Sequence, residues 1–206
     1  NYVQEFYKAK EELVNNNISV FRSATQVISS EGNKLGGLRQ NKVYEKSIDF
    51  FIRKLKGEAR SSLSEYIFSR ESYSKYGFVD FPLAWHSDDI LFMELSDFQN
   101  IYTINESVVF IRFSNSSITG SKGNNRIKNK ASNRFFNYLL KKHKHRFNSI
   151  QQKILIKKLE NTVINDKRNF RLLFRLFLTY YHTTNEKRVN VFLKKYFKSF
   201  KLCAKE

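Results

Sequence analysis

The chain has 206 residues, of which 41% are apolar, and it carries a formal net charge of +18. This length and apolar content suit one packed domain, or one domain with an extension. No run approaches the ~18 apolar residues that a bilayer span needs, and the lone Cys203 has no partner for an internal disulfide, so we expect a cytoplasmic protein.

The first 121 residues alternate between helical and strand patterns. In chain order, the patterns predict a helix over 2–15, one strand or two short ones over 18–29, a glycine-rich loop over 31–40 and a helix over 44–55. A short strand over 63–68, helices over 70–77 and 89–98, and a strand pair or one long strand over 101–113 follow. The unbroken apolar run over 108–111 indicates a strand that is buried on both faces. Alternation of this kind predicts an α/β fold.

Residues 122–206 differ from the first part in both pattern and charge. They contain 23 Lys and Arg against 4 Asp and Glu, whereas the first 121 residues have a net charge of −1. Only helices are predicted beyond residue 128, and the segment 187–200 has the spacing of an amphipathic basic helix. We therefore predict an all-helical basic C-terminal region. It either contacts an anionic partner or is simply a solvated helical surface.

The chemically informative stretch lies between Gly57 and Gly120. It contains the acidic pair Asp88-Asp89 at the predicted start of a helix, with strands on either side. A carboxylate at a helix start is held rigidly and is kept ionised by the helix dipole, so it can act as a general base. The sequence Ser87-Asp88-Asp89 is equally typical of an ordinary helix N-cap with acids in the first turn. Both interpretations stay open on this pattern alone.

The order of these features resembles the second half of family-2 glycosyltransferases with the GT-A fold. In that family, a Gly-Phe segment leads to a short acidic motif that opens a helix, and a strand ending in Arg follows. The matching residues are Gly77-Phe78, Asp88-Asp89 and Arg112. The resemblance implies that residues 1–121 are a partial GT-A domain that lacks the N-terminal nucleotide-binding strands. Residues 122–206 would then be a helical extension.

The resemblance also implies a reaction, which is an inverting transfer of a sugar from a nucleotide sugar to a hydroxyl acceptor in cell-surface polysaccharide synthesis. Asp89 would be the general base, with Asp88 as the second candidate because it stands where the family usually has Glu. A divalent cation, Mn²⁺ or Mg²⁺, would neutralise the leaving diphosphate. Its Asp-x-Asp ligands would precede Asn1, so we expect this chain alone to bind no cation and to be inactive.

Three further residues near the acidic pair are candidates for binding the acceptor. Trp85 would stack on a sugar ring, Arg112 would reach a phosphate or an acidic sugar, and His86 would touch the metal or the acceptor. Each residue has a structural alternative: Trp85 as a core side chain, Arg112 as a strand-end charge paired with an acid, and His86 as an ordinary loop residue.

The expected partners follow from the resemblance and from the charge. A saccharide or lipid-linked acceptor would bring the enzyme to the inner face of the cytoplasmic membrane, where the basic helices would dock peripherally. A half domain would also expose apolar surface and could form a homodimer through it. The alternative is a basic nucleic-acid-binding or structural protein without catalysis. Nucleic acid ranks lower because no known binding motif is present.

Overall fold

A computed structural model describes residues 2–13, 17–114, 118, 123–183 and 186–202, so Cys203 lies outside the described residues. The chain divides into two compact units. Unit 1 comprises Asn1–Asp80 and Ser87–Lys122, and unit 2 comprises Phe81–His86 and Gly123–Glu206. The short segment Phe81–His86 therefore belongs with the C-terminal helices, although the residues directly before and after it, Asp80 and Ser87, belong to unit 1.

Helices and strands alternate along unit 1, and this confirms the predicted α/β class. Its elements are α1 (Tyr2–Glu12), β1 (Val20–Ile28), β2 (Tyr44–Lys46), α2 (Ser47–Lys56), β3 (Tyr66–Phe68), α3 (Arg70–Tyr76), α4 (Ser87–Leu95) and β4 (Asn100–Arg112). The predicted strand over 63–68 begins instead with a short 3-10 helix over Leu63–Glu65.

The prediction of a helix from residue 44 was wrong for its first three residues. Tyr44–Lys46 is strand β2, in which Glu45 is buried while Tyr44 and Lys46 are exposed. This exposed-buried-exposed alternation has the period of a strand rather than that of a helix. Helix α2 begins only at Ser47, and the apolar helical spacing that starts at Ile48 belongs to it.

The four strands described form one mixed sheet in the order β2-β4-β1-β3. Strands β1 and β4 are parallel, whereas β3 pairs antiparallel with β1 and β2 pairs antiparallel with β4. The run over 108–111 is not buried on both faces as predicted, because Phe110 is 57% exposed. Helix α1 covers the beginning of β4, where Ile104 is buried, and leaves the end of the strand more open.

Helix α4 fixes the position of the acidic pair within unit 1. The four consecutive residues from Ile90 to Met93 are at most 2% exposed, so the helix is buried on every side rather than on one stripe. Helix α2 contributes Phe50 and Phe51, which are fully buried. Because α4 is held in this way, the side chains of its first turn have a fixed place beside α2.

Apart from short connections, the described residues of unit 2 are helical. Its long helices are α5 (Asn125–Lys142), α6 (Ser149–Asn165), α7 (Phe170–Thr183) and α8 (Glu186–Leu202). They pack around fully or almost fully buried apolar side chains: Phe135, Leu139, Leu155, Leu159, Leu176 and Phe192. Among the described residues, none of the helices has both the length and the apolar content required to cross a bilayer.

Candidate functional site

The acidic pair lies in the first turn of α4 and faces a lysine from α2. The Lys54 ammonium forms an ion pair and hydrogen bond with Asp89 Oδ1, and Lys54 Nζ lies 3.9 Å from Asp88 Oδ2. The side chain of Asp88 is 27% exposed, whereas that of Asp89 is 8% exposed. The two predicted base candidates therefore share one cation, and Asp88 is the more accessible of them.

Lys54 is held in place by its own helix end and by a neighbouring hydroxyl. It stands in the last turn of α2, and its ammonium also donates to Ser61 Oγ. Burial lowers the pKa of Lys54, but the charges of Asp89 and Asp88 outweigh burial and raise the pKa overall. The ammonium therefore stays protonated at neutral pH and provides a permanent positive charge beside the acidic pair.

Glu65 is a third carboxylate close to this cluster, and its proton affinity is unusual. It is 1% exposed, and burial raises the pKa of Glu65 to about 7, against the opposing effects of the Ser62 N–H and the charges of Arg22 and Lys54. The Ser62 N–H donates to Glu65 Oε2 at 2.9 Å as part of a capping box. Glu65 therefore changes its charge near neutral pH, inside a fixed hydrogen-bond frame.

A buried ion cluster joins β1, β2 and α2 in unit 1. Arg22 is 1% exposed, and it donates from Nη2 to Glu45 Oε2 and from Nε to Thr103 Oγ1, both at 2.9 Å. Arg53 binds both oxygens of Glu45, at 2.8 and 3.0 Å. The guanidinium carbon of Arg22 lies 3.8 Å from the centre of the Phe50 ring. These contacts hold Arg22 in a single orientation.

Two buried polar atoms beside Tyr66 make no hydrogen bond to any residue that the structure describes: Arg22 Nη1 and Glu65 Oε1. They belong to one neighbourhood, because Arg22 and Tyr66 are register partners across β1 and β3, and Glu65 precedes Tyr66. Burial and the charge of Glu65 raise the pKa of Tyr66. Buried polar groups usually have partners, so this neighbourhood has unused hydrogen-bonding capacity.

Trp85 and His86, two of the predicted acceptor-binding residues, belong to unit 2 rather than to the unit of the acidic pair. The His86 ring stacks on Phe135 with the ring centres 4.4 Å apart, and His86 Nε2 lies 2.9 Å from Ser132 Oγ. Lys128 Nζ lies 5.1 Å from the centre of the Trp85 ring. Both aromatic rings therefore pack against α5.

Arg112, the third predicted acceptor-binding residue, holds a loop at the end of the sheet. Its Nη1 donates to the carbonyl oxygens of Ser29, at 3.1 Å, and of Ser30. Glu31 stands next in the same loop, and hydrogen bonds from Ser30 and Ser29, assisted by the charge of Arg112, lower the pKa of Glu31 to about 2. These contacts fit the strand-end alternative, while a role in acceptor binding stays a prediction.

No cluster of three or more metal-ligating side chains comes together in the part of the chain that the structure describes. The carboxylates of Asp88 and Asp89 instead share the ammonium of Lys54. Among the described residues the acidic pair therefore has Lys54 as its partner rather than a third metal-ligating side chain, and a divalent cation in the full-length protein stays a prediction.

Comparisons with protein-family models, with curated proteins and with solved structures find no match to this chain. The function proposed below therefore rests on the residues of the chain themselves.

Proposed function

We propose that this chain is the acceptor-side part of an inverting glycosyltransferase, in which the start of α4 supplies the general base. The observation that carries this proposal is the acidic pair Asp88-Asp89, which is anchored in the first turn of a buried helix and faces Lys54. The α/β architecture of unit 1 and the resemblance in sequence to family-2 enzymes support the same function.

The reaction needs a carboxylate that is ionised at neutral pH and fixed in space. The acceptor oxygen forms a bond to the anomeric carbon while the bond from that carbon to the nucleoside diphosphate breaks. The hydroxyl proton passes to the carboxylate, and the nucleoside diphosphate leaves with the bonding electron pair. The helix dipole and the ammonium of Lys54 both favour the ionised form of the pair, so a proton acceptor is available before the acceptor binds.

The geometry gives the two acids different conditions for this role. Asp89, the base implied by the resemblance, has its carboxylate engaged by Lys54, so it meets a hydroxyl only if that ion pair opens when substrate binds. Asp88 is more exposed and lies farther from the ammonium. It therefore acts as the base if the ion pair of Asp89 stays closed.

Exposed apolar side chains on unit 1 support the proposal that this unit is one part of a larger catalytic domain. Leu38, Tyr44, Phe110 and Phe113 are between 47 and 57% exposed. A contiguous apolar patch is typical of a surface that contacts other polypeptide, and in this proposal these four side chains contribute to such a surface. The remaining partners in this proposal are a nucleotide sugar as donor and a saccharide or lipid-linked acceptor.

The test is sugar transfer by the natural full-length protein that contains this chain. Release of nucleoside diphosphate from a panel of UDP- and GDP-sugars is measured with Mn²⁺ present, for the wild type, Asp88→Asn and Asp89→Asn. Loss of a general base lowers the rate by about 100-fold or more. We expect a loss of this size in one of the two variants. A loss in Asp89→Asn shows that the ion pair with Lys54 opens, and a loss in Asp88→Asn shows that it stays closed.

Asp49→Asn is the matched control, because Asp49 is an exposed acid in the first turn of another helix of the same unit, α2. We expect this control to leave the rate unchanged. If both Asp88→Asn and Asp89→Asn retain wild-type rates while folding normally by circular dichroism, the acidic pair is not the base and this part of the proposal is wrong.

A further inference from the structure

Helix α7 in unit 2 is apolar on its outer side as well as on its packed side. Its inward residues Leu172 and Leu176 are at most 3% exposed. On the other side, four large apolar residues are exposed by between 41 and 86%: Phe170, Phe174, Leu178 and Tyr181. We call these four residues the outer stripe. Exposed aromatic side chains in a row on a helix are unusual for a surface that meets only water.

The outer stripe is continuous along the helix. At 3.6 residues per turn, its four members fall within an arc of roughly 80° and span about 16 Å along the axis. The exposed residues Arg171 and Arg175 follow next around the helix, directly beside the stripe. The stripe is therefore a narrow aromatic ridge with arginines along one flank.

A cavity of about 450 Å³ opens at the N-terminal end of the same ridge. It is lined by Arg126, Asp166, Arg168, Asn169, Phe170 and Arg171. Three arginines against one aspartate leave a net positive charge, and the Arg126–Asp166 ion pair, at 3.9 Å, is long. Because Phe170 belongs both to the cavity and to the outer stripe, the cationic and aromatic surfaces join at this residue.

We propose that the outer stripe and this arginine-lined cavity form a docking surface for an anionic phospholipid membrane. Aromatic side chains insert into the interfacial region of a bilayer, and arginines beside them bind phosphate headgroups. A helix that lies in the plane of the interface needs one apolar ridge flanked by cations, and this is the arrangement seen on α7. The charge of residues 122–206, with 23 Lys and Arg against 4 Asp and Glu, complements an anionic surface.

Helix α7 rather than α8 carries this surface. The sequence indicated the segment 187–200 as the amphipathic basic helix, but its residues Phe192 and Tyr196 are 1 and 3% exposed and belong to the core of unit 2. Their aromatic rings are therefore used in packing. Val191 and Phe197 of α8 are exposed by 68 and 60%, but they lie roughly 120° apart around the helix and form no continuous row like that of α7. The inference concerns unit 2 alone and does not depend on sugar transfer by unit 1, so either can fail without the other.

The experiment is co-sedimentation of the full 206-residue chain with vesicles. One set is phosphatidylcholine, and the other is an equimolar mixture of phosphatidylcholine and phosphatidylglycerol. We expect binding to the mixed vesicles only, and weaker binding when the ionic strength rises from about 0.1 M to about 1 M, because the screening length then falls from about 10 to about 3 Å. Equal binding to neutral vesicles, or no binding to either set, overturns the proposal.

The aromatic part is tested by the triple substitution Phe170→Ser, Phe174→Ser and Tyr181→Ser. These side chains are 64 to 86% exposed, so the fold should survive, and circular dichroism checks this. We expect the affinity for mixed vesicles to fall tenfold or more, since each ring loses its apolar contact with the bilayer. Ile150→Ser is the control, because Ile150 is 68% exposed on α6 and lies outside the ridge. An equal loss in the control overturns the proposal.

The arginine part is tested with two variants that remove the same charge. One replaces Arg168, Arg171 and Arg175 by Gln, and the other replaces the exposed lysines Lys141, Lys153 and Lys157 by Gln. Each basic residue close to an anionic surface strengthens binding by about fivefold, so we expect the arginine variant to bind about 100-fold more weakly. The lysine variant should lose far less. Equal losses would show attraction by overall charge without a docking surface.

Nucleic acid is the competing ligand that the same charge would attract. Binding of a single-stranded oligonucleotide is measured with the same aromatic and arginine variants. The membrane proposal is overturned by two results together: the oligonucleotide binds with an affinity that these six side chains determine, and the vesicles do not bind. The surface is then assigned to nucleic acid.

Discussion

Replacement of Glu65 by Gln should change the pH dependence of the stability of unit 1. The carboxyl of Glu65 has a pKa of about 7 in place of its ordinary 4.5, because it is buried. A tenfold change in proton affinity corresponds to about 1.4 kcal/mol. The free energy of unfolding is therefore lower by about 3 kcal/mol above pH 7, where Glu65 is ionised, than at low pH, where it is protonated. The protonated group suits its buried site. This part of the stability is therefore fully present below pH 4.5 and is lost as the pH rises through about 7.

The neutral amide of Glu65→Gln cannot ionise, so the variant should keep its stability where the wild type loses it. The assay is urea-dependent hydrogen exchange of the β1 amides, which reports the opening of unit 1. At about pH 8 we expect the variant to be more stable than the wild type by about 3 kcal/mol, and at about pH 5 the difference should shrink to less than about 1 kcal/mol. Glu58→Gln, which removes an exposed carboxyl, is the control. An equal difference between variant and wild type at both pH values would refute the reasoning.

Three other substitutions test the packing of the two units. Glu45→Gln should lower the free energy of unfolding of unit 1 by about 3 kcal/mol or more, because it leaves the buried guanidinium of Arg22 without its counter-charge. Hydrogen exchange of the β1 amides measures this, and a loss below about 1 kcal/mol would contradict it. Asn148→Ala removes the side chain that accepts the N–H groups of the first turn of α6 and should cost about 1 kcal/mol. The fluorescence of Trp85 during urea unfolding measures this in unit 2, and no change would show that the cap is not needed. Ala84→Gly should raise the free energy of unfolding of unit 2 by up to about 1 kcal/mol, since Ala84 has a φ of 50°, where an L-residue is strained and glycine is not. A lower free energy of unfolding in the same fluorescence assay would contradict this.

The elements that the sequence predicted well are those whose stability is local or strongly periodic. Strand β1 contains the β-branched and apolar residues that favour strands, and α3 ends at Gly77, whose φ of 64° suits glycine. The α/β class followed from the alternation of such segments. Helix α4 was also predicted, but its start at Ser87 rather than at residue 89 depends on the contacts of its first turn.

The sequence could not reveal contacts between residues that are distant in the chain. Lys54 in α2 was not a candidate, because nothing in the spacing shows that it faces Asp89, 35 positions later. Glu65 and Arg22 carry a weak signal, since a charged residue beside or within an apolar strand is uncommon unless it is paired. The pairing of Arg22 with Glu45 and the burial of Glu65 become visible only in the folded unit.

The segment Phe81–His86 shows a second limit of pattern reasoning. Trp85 and His86 were interpreted together with Asp88 and Asp89 because they are adjacent in sequence, yet they pack against α5 in the other unit. Leu83, Ala84 and His86 all have positive φ values, which are uncommon for residues other than glycine. These backbone angles occur in the segment where the chain passes from one unit to the other and back, and composition alone does not predict them.

The most direct test of the proposed chemistry is the anomeric configuration of the product, determined by NMR after transfer by the natural full-length protein. A single displacement, with the acceptor hydroxyl activated by a carboxylate at the start of α4, inverts the configuration of the donor sugar. We therefore predict an inverted linkage in the wild type and a rate of product formation lower by about 100-fold or more in the double variant Asp88→Asn, Asp89→Asn. A product with retained configuration, or an unchanged rate in the double variant, would contradict the account.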